Sequence, residues 1–525
     1  MNKQFLKRIT EAHSWLGLII SGLLFIVFFT GSISLFRNEI ALWSILPHHA
    51  PAQGEPLPPS EIMQLAIKDY PFNAKEHLTL VSPTLAFPFY SAYVDIILPE
   101  GATSDIDYVA LLIDPVSGKT VAKIDDFYLA EFLYHLHYNL NIPYGSYIIG
   151  FVTLFFCFAL VSGIFIHARK LFRQFFLYRT GEGKRDQLLT MHNLIGVMTL
   201  PFTLMYALTG LIFNLVIIYQ VAFALVLYKG EQEALLTDAG YTQPKPEWLG
   251  EPLDSQDEID KLLAQHVQDF GQDAAAIRLY NYGDKSALIQ IYGNVSGEFV
   301  GPVEQVIALD NGEMIFSKTP TSPNMVTTGQ TVLATLHFGD YAGIDLKLIY
   351  FLLGMGVCVL IVSGNLLWVE KRMQQRHFSV KQTSAVNSMT LGTTMGVILA
   401  TAVAFLFERL LPIDLLGREN VMIASFVITL GLYMALAWFI LDKSRLLFIS
   451  LVSTGAVLLL VLFSDFVLFH HQIVNLLSLD IFSVVGVQIG LACTAILSIT
   501  VAFSLFNKKA PPPILAEANS EPELA

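Results

Sequence analysis

An apolar helix with a histidine at its start occurs twice in this chain, with the same residue types at the same spacing. The repeated residues are His13, Gly17 and Thr30-Gly31 in the first copy, and His192, Gly196 and Thr209-Gly210 in the second. An ionisable side chain at the edge of a membrane-spanning helix costs free energy, so its repetition indicates a task. We therefore expect a duplicated membrane unit, with these histidines as functional candidates.

The composition is that of a polytopic α-helical membrane protein. Hydrophobic residues make up 54% of the chain and charged residues only 14%, whereas soluble globular chains carry about a quarter charged residues. Eight apolar segments are long enough to cross a hydrocarbon core of about 30 Å. They are predicted at 14–36, 146–168, 193–227, 347–369, 391–411, 421–441, 446–469 and 482–505.

Basic residues lie before the first predicted span and in every second loop, which predicts that both termini are cytoplasmic. They include Lys7 and Arg8, Arg169 and Lys170, Lys371 and Arg372, Lys443 and Arg445, and Lys508 and Lys509. The segments 37–145 and 228–346 should then form two large domains on the outer face of the membrane. The net charge of −13 argues against a nucleic-acid partner.

The duplication extends beyond the histidine helix. Cys157, Ser162-Gly163 and Lys170 return as Cys358, Ser363-Gly364 and Lys371, and Leu136-His137 returns as Leu336-His337, one residue out of that register. Residues 1–180 and 185–378 are thus predicted to be two copies of one unit, which consists of a helix, an outer module and a second helix. A pseudo-twofold axis along the membrane normal would relate them. Residues 390–505 are predicted to be an appended bundle of four spans, and 510–525 a disordered tail.

Each outer module is predicted to be a small α+β unit. Short helices are expected at 59–70 and 255–268. Strand-like runs follow at 90–98, 108–113 and 120–124 in the first module, and at 286–292, 303–309 and 314–316 in the second. The turn that begins at Asp114 is a common hairpin sequence.

The repeat selects two histidine pairs. His13 and His192 belong to the cytoplasmic edge, and His137 and His337 to the outer edge. Each pair would approach the pseudo-twofold axis from opposite sides, as the two axial ligands of one haem iron do. The chain has no Cys-x-x-Cys-His sequence, so the predicted cofactors are two b-type haems held without covalent attachment.

Two alternatives stay open for the histidines. The first is that they are interfacial hydrogen-bonding groups, or protonatable groups of a transporter. The second concerns His167, which could replace one member of the inner pair, because Trp368 stands at the equivalent position of the other repeat. His135 lies two residues from His137 and would point in another direction on a helix, as a surface residue or a partner of a ligand.

The histidine, glycine and Thr-Gly spacing, the Leu-His and Ser-Gly pairs and the Asp114–Lys119 turn resemble the PepSY-associated transmembrane helix family, over about residues 1–378. This resemblance implies a bacterial inner-membrane protein with PepSY-like periplasmic modules. Some members are ferric-siderophore reductases with two b haems that pass electrons outward to periplasmic iron. The matching positions here are His13, His192, His137 and His337, whereas the family usually has an aromatic residue in place of His167.

Three functional hypotheses follow. The first is a di-haem reductase whose Fe(III) chelate docks between the two outer modules. Its electron donor would be quinol or a soluble cytoplasmic carrier, because the sequence has no nucleotide-binding motif. The second is a non-enzymatic membrane scaffold or transporter that binds a peptide or protein partner. The third keeps the haems and changes the acceptor, for example to copper or a periplasmic redox protein.

Overall fold

The computed structural model of the chain describes residues 3–507 with short gaps. The gaps are 85, 99–107, 168–182, 242–243, 245, 254–257, 296–298, 322, 340, 376–378 and 479–481. The predicted disordered tail at 510–525 and most of the basic loop after the second span therefore lie outside the described residues.

Long apolar helices dominate the described chain, as the composition predicts. Seven of the described helices are long and apolar enough to cross a membrane, and a bent pair brings the number up to eight. The helices of the duplicated part are α1 (Lys3–Ser34), α2 (Arg37–Ile45), α3 (Pro59–Ile67), α4 (Leu129–Tyr138), α5 (Gly145–His167), α6 (Lys184–Met198), α7 (Leu200–Leu227), α8 (Gln232–Asp238), α9 (Glu258–Phe270), α10 (Met325–Phe338) and α11 (Gly343–Met373). Those of the appended part are α12 (Val380–Leu410), α13 (Arg418–Phe439), α14 (Lys443–Ser478) and α15 (Ser483–Asn507).

The third span is predicted as one long helix, but the structure has two helices there. It is a broken span, in which α6 and the first part of α7 meet at an angle of 66°. Thr199 ends α6, and Pro201 lies in the first turn of α7. Because proline has no N–H and its ring clashes with the preceding turn, it begins helices and interrupts them. His192 therefore lies on a helix that is tilted away from the rest of its span.

The contacts among the spanning helices follow the duplication. Helix α1 packs against both α5 and α11, which are the second helices of the two repeats. In the second repeat α6 packs against α11, and α7 packs against α5. Exchanging the repeats thus exchanges the contacts, which is what a pseudo-twofold arrangement requires.

The two outer modules share one antiparallel sheet, which contains eight strands in the order β4-β3-β2-β1-β5-β6-β7-β8. The strands are β1 (His77–Val81), β2 (Tyr90–Asp95), β3 (Tyr108–Ile113), β4 (Thr120–Lys123), β5 (Ala276–Tyr280), β6 (Leu288–Asn294), β7 (Pro302–Ala308) and β8 (Met314–Lys318). The modules meet at β1 and β5, where Thr79 pairs with Arg278. The sequence prediction lacked both of these strands, and each lies next to its counterpart in the other repeat.

Helices α3 and α9 cover one face of this sheet. Alternate residues of β1 are buried, and its Leu78 and Leu80 pack in one core with Ile62 of α3 and Ile259 of α9. The two helices also touch each other, because Ser60 donates hydrogen bonds from its backbone N–H and its hydroxyl to the Asp260 carboxylate, at 3.1 and 2.5 Å. The core and this contact both join the two modules.

The predicted turn after β3 is organised by Asp114. Its carboxylate accepts hydrogen bonds from the backbone N–H groups of Ala52, Val116 and Ser117 at 2.9, 3.1 and 2.7 Å, and from the Ser117 hydroxyl at 2.8 Å. Burial alone would raise the pKa of Asp114, but these four hydrogen bonds stabilise the charged form and leave the pKa below its usual value.

The appended bundle docks onto the duplicated part through buried charges that the sequence reading did not recognise. Arg409 of α12 forms an ion pair with Asp465 of α14, and both side chains are 1% exposed. The Arg409 guanidinium also lies over the ring of Trp43, and Trp43 donates from its indole to Asp465 at 2.9 Å. Gln488 of α15 donates to the same carboxylate at 2.8 Å. The second carboxylate oxygen of Asp465 thus accepts two hydrogen bonds beside the ion pair, which helps a buried pair to be tolerated.

Candidate functional site

The four repeat-selected histidines form two pairs at different depths. We call His137 and His337 the sheet-side pair, because they end the helices α4 and α10 that follow the last strand of each module. We call His13 of α1 and His192 of α6 the far-side pair. Both pairs contact α1. His13 lies on this helix, and Val27 and Gly31, which contact His137, are about 14 and 18 residues further along it. This spacing corresponds to about 21–27 Å along a helix.

The far-side pair brings two imidazole rings together, one from each repeat, with their planes at 81° to each other. The ring centroids of His13 and His192 are 6.4 Å apart. The Nδ1 atom of His13 lies 3.0 Å from the carbonyl oxygen of Ala159 and 3.0 Å from the hydroxyl of Ser162. The predicted pairing partners thus come together at the end of the bundle that lies opposite to the sheet.

His192 has the repeat-related partners. Its Nδ1 atom lies 3.1 Å from the carbonyl oxygen of Leu360 and 3.3 Å from the hydroxyl of Ser363. Gly163 and Gly364 make these contacts possible, because each follows its carbonyl by four residues and leaves room for the imidazole. A Cβ atom at Gly163 would lie 3.4 Å from His13, and one at Gly364 would lie 3.1 Å from His192.

The sheet-side pair has the same separation. The ring centroids of His137 and His337 are 6.1 Å apart. The Nδ1 atom of His137 lies 2.8 Å from the carbonyl oxygen of Val27. Gly31, four residues further along α1, faces this ring so closely that a Cβ atom would fall 2.4 Å from Nδ1. The Nδ1 atom of His337 instead meets the hydroxyl of Thr209 at 2.6 Å.

These partners fix the protonation of the rings. A carbonyl oxygen only accepts, so His13, His137 and His192 must carry their proton on Nδ1. The Thr209 hydroxyl donates its hydrogen to the carbonyl of Met205 at 2.9 Å, so it accepts from His337 in the same way. Each neutral imidazole then keeps its lone pair on Nε2, which is the atom that binds a metal when Nδ1 is held by another group.

The separations fit one metal ion between the rings of each pair. A ring nitrogen lies about 1 Å from the ring centroid and about 2 Å from a metal that it binds, so two axial imidazoles have centroids about 6 Å apart. The observed 6.4 and 6.1 Å agree with this value. The donor set, neutral imidazole on both sides, is one that holds haem iron. The residues present therefore fit two b-type haems.

A cavity of about 400 Å³ adjoins the sheet-side pair. Its walls come from α1, α4, α5, α7, α10 and α11, and they include Gly31, Thr153, Phe156 and Tyr206 beside the two histidines. Most of the lining is apolar and aromatic, with few polar groups, which is typical of cofactor sites. The aromatic residues near His137 and His337 thus line a cavity inside the bundle, besides any role at a membrane surface.

The remaining histidines have other surroundings. His167 ends α5, five residues beyond the Ser162 that contacts His13. His135 points away from the pair, and its Nδ1 atom meets the Tyr128 hydroxyl at 2.9 Å. His48 packs against Phe469, and burial together with Arg409 lowers the pKa of His48 to about 4, so it is neutral at neutral pH.

The sequence reading named the four histidines and missed the groups that hold them. In the sequence, Ser162-Gly163 and Ser363-Gly364 stand out only as repeated pairs, and Thr209 only as part of the repeated Thr-Gly sequence. The repeat contains a signal that could have assigned the serines. Ser162 and Ser363 are counterparts in the two repeats, just as His13 and His192 are, so each serine can be matched with one histidine.

Comparisons with known proteins agree with this architecture. A family model described as "PepSY-associated TM region" matches residues 10–371, which is more than half of the chain and contains both histidine pairs. The chain is also similar to "Uncharacterized protein PA4219" of Pseudomonas aeruginosa. The two are 25% identical over 300 residues, which cover 55% of this chain and 74% of that protein.

Proposed function

The chain belongs to the PepSY-associated TM region family, and from its histidine pairs we propose that it is a membrane reductase with two b-type haems that delivers electrons to a ferric chelate on the sheet side. The observation that carries this proposal is the repetition of one geometry. Two pairs of histidines, at two depths, have similar separations, 6.4 and 6.1 Å between ring centroids, and have their Nδ1 atoms held by hydrogen bonds.

In this proposal His13 and His192 would hold one haem, and His137 and His337 would hold the other. Haem supplies one-electron chemistry, and the protein tunes it through the axial ligands, their hydrogen bonds and burial. The carbonyl and hydroxyl acceptors keep each ring in the tautomer whose Nε2 can bind iron. The mainly apolar walls of the sheet-side cavity suit the porphyrin ring of a haem.

The overall reaction balances with two ferric ions for each quinol. Quinol loses two electrons and two protons to become quinone, and each ferric ion gains one electron to become ferrous. A soluble one-electron carrier in the cytoplasm would balance one to one. Ferrous iron binds the hard oxygen ligands of siderophores far less tightly than ferric iron does, so reduction releases the metal without cleavage of the chelator.

The acceptor is expected to dock beside the sheet-side pair. Because β1 and β5 pair directly, a cleft between the modules is not the place for it, and we propose the membrane-facing side of the sheet instead. Tyr134 and Tyr138 line the cavity there, and Arg37 lies 4.4 Å over the Tyr134 ring. Arg37 is also paired with the Glu131 carboxylate at 2.6 Å. The two tyrosines offer aromatic surface and hydroxyl groups to an oxygen-rich ferric chelate.

The test is a reduced-minus-oxidised spectrum of the purified protein with a haem assay. We expect about two b haems for each chain, and single alanine variants of His137 and His337 should affect the same haem while the other keeps its spectrum. His135→Ala is the matched control, since that ring is two residues away and bonds Tyr128. His167→Ala should spare both haems, and loss of the far-side haem would make His167 a ligand.

Protein without haem, after expression with haem supplied, would remove the reductase proposal. The hypothesis left would be a scaffold or transporter that binds a peptide or protein partner. If haem is present, reduction of ferric chelates is measured in vesicles with a ferrous-specific dye on the sheet side. Haem-loaded protein that reduces copper or a redox protein, and no ferric chelate, would retain the haems and change the acceptor.

A further inference from the structure

The two histidine pairs differ in what their N–H groups bind. On the far side, both Nδ1 atoms donate toward a backbone carbonyl and a serine hydroxyl. Each serine hydroxyl in turn donates to the carbonyl that its histidine contacts. Ser162 donates to Ala159 and Ser363 donates to Leu360, each at 2.9 Å. The far-side imidazoles therefore each have two acceptors.

On the sheet side, the acceptors are fewer and unequal. His137 donates to the carbonyl of Val27, and His337 donates to the hydroxyl of Thr209. A hydroxyl oxygen is a weaker acceptor than a peptide carbonyl, because the amide nitrogen adds electron density to its oxygen. The Thr209 contact is the shortest of these contacts, at 2.6 Å, but it is a single hydroxyl acceptor, whereas each far-side ring has a carbonyl and a hydroxyl. On the number and type of acceptors we infer that the His337 imidazole is the less basic ligand.

The difference goes together with a change of residue type between the repeats. Tyr206 stands where the first repeat has Val27, and its phenol donates to the backbone carbonyl of His337 at 2.7 Å. The Tyr206 ring lies 4.6 Å from the His337 ring. The His337 side chain is thereby held over Thr209, whereas His137 is held over the carbonyl that Gly31 leaves open.

We propose that these hydrogen bonds grade the two reduction potentials, with the sheet-side haem the more positive, and that Thr209 is a positioning residue for this gradient. The inference rests on the proposed function. A more basic axial imidazole stabilises ferric over ferrous iron and lowers the potential. Transfer of one electron from the far side to the sheet side is then favourable, and the reverse transfer is opposed.

The experiment is a spectroscopic redox titration of the full-length protein, with each haem assigned through the alanine variants of the histidines. We expect the sheet-side potential to exceed the far-side potential. Thr209→Val keeps the shape of the side chain and removes the acceptor, so it should raise the sheet-side potential further. A tenfold change in the preference for ferric over ferrous iron corresponds to 59 mV for one electron.

The repeat provides a matched control. Thr30 is the counterpart of Thr209, is equally buried, and donates to the equivalent carbonyl, that of Ile26, at 2.8 Å. His137 on that side uses the Val27 carbonyl, so Thr30→Val should leave both potentials unchanged. On the far side, Ser363→Ala should raise only the potential of the haem held by His192.

Three results would overturn the inference. They are a sheet-side potential at or below the far-side one, no shift in Thr209→Val, or equal shifts in Thr209→Val and Thr30→Val. All three results are measured on protein that has bound haem. They are therefore distinct from failure of the proposed function, which would be protein without haem. If Thr209→Val loses the sheet-side haem altogether, Thr209→Ala takes its place, because it removes the same acceptor with a smaller side chain, and an unshifted sheet-side potential in Thr209→Ala overturns the inference.

Discussion

Gly31→Ala offers a sharp test of how the sheet-side pair is built. A Cβ atom at this position would lie 2.4 Å from Nδ1 and 2.6 Å from Cε1 of His137. Carbon atoms in contact prefer about 3.5–4.0 Å, so the imidazole must retreat by about 1 Å or more. That retreat breaks the hydrogen bond to the Val27 carbonyl, which is 2.8 Å long in the wild type.

The magnitude follows from three opposing contributions. Overpacking costs about 1–3 kcal/mol and the lost hydrogen bond about 1 kcal/mol, while alanine gains about 1 kcal/mol of helix propensity over glycine. The net expectation is a loss of about 1–3 kcal/mol in the free energy of unfolding. Because His137 is displaced, the sheet-side haem should also be lost or altered.

Gly210→Ala is the control, since Gly210 is the counterpart of Gly31 in the second repeat. Its Cβ would lie 3.4 Å from Cγ2 of Thr153, an ordinary contact, so this variant should leave the His137 ring and its hydrogen bond in place and gain up to about 1 kcal/mol in the free energy of unfolding. The assays are haem content, the reduced spectrum and thermal denaturation in detergent. A Gly31→Ala protein with wild-type haem and stability would refute the close approach on which the pairing depends.

Three further predictions concern the parts that hold the site in place. Asp465→Ala should destabilise the protein by about 3–5 kcal/mol, because it leaves a buried, unpaired charge on Arg409. The double variant Arg409→Met, Asp465→Leu removes both charges and should recover most of that loss, as measured by thermal denaturation. Asp114 has a lowered pKa in the folded protein, so its contribution to stability is complete above its unfolded pKa and is lost as the pH falls through the folded pKa. Asp114→Ala should therefore reduce the loss of stability at acid pH. Ser117→Ala, which removes one of the hydrogen bonds to Asp114, should have a smaller effect of the same kind. Asp260→Ala should lower the hydrogen-exchange protection of β1 and β5 more than that of the outermost strands, since it removes the contact between α3 and α9, and uniform protection would contradict this role.

The sequence predicts much of this molecule because its signals repeat. The apolar segments predict the membrane fold class, which the structure and the family match confirm, and the register of His13 with His192 predicts which side chains come together. Orientation in the membrane, haem binding and the acceptor stay predictions. They depend on charge distribution and resemblance, which specify no contact.

The features that escaped prediction share a physical reason, which is that they depend on contacts distant in the chain. The strand β1 alternates buried and exposed residues, but its partner β5 is about 200 residues away, so neither strand suggested a joined sheet. In the sequence Arg409 and Asp465 are two isolated charges near the ends of different spans, and only the folded structure shows that they pair. Pro201 was visible, yet the 66° bend depends on how α6 packs against α11.

The pairing of β1 with β5 has a consequence for the ancestry of the chain. Two equivalent strands that pair antiparallel about Thr79 and Arg278 form an isologous interface, the kind that joins identical subunits in a twofold homodimer. The chain is in effect such a dimer made covalent. In a true homodimer, both histidines of a pair would necessarily have the same neighbours. Fusion removes that constraint, and it allowed Val27 and Thr209 to serve two imidazoles of one pair in different ways.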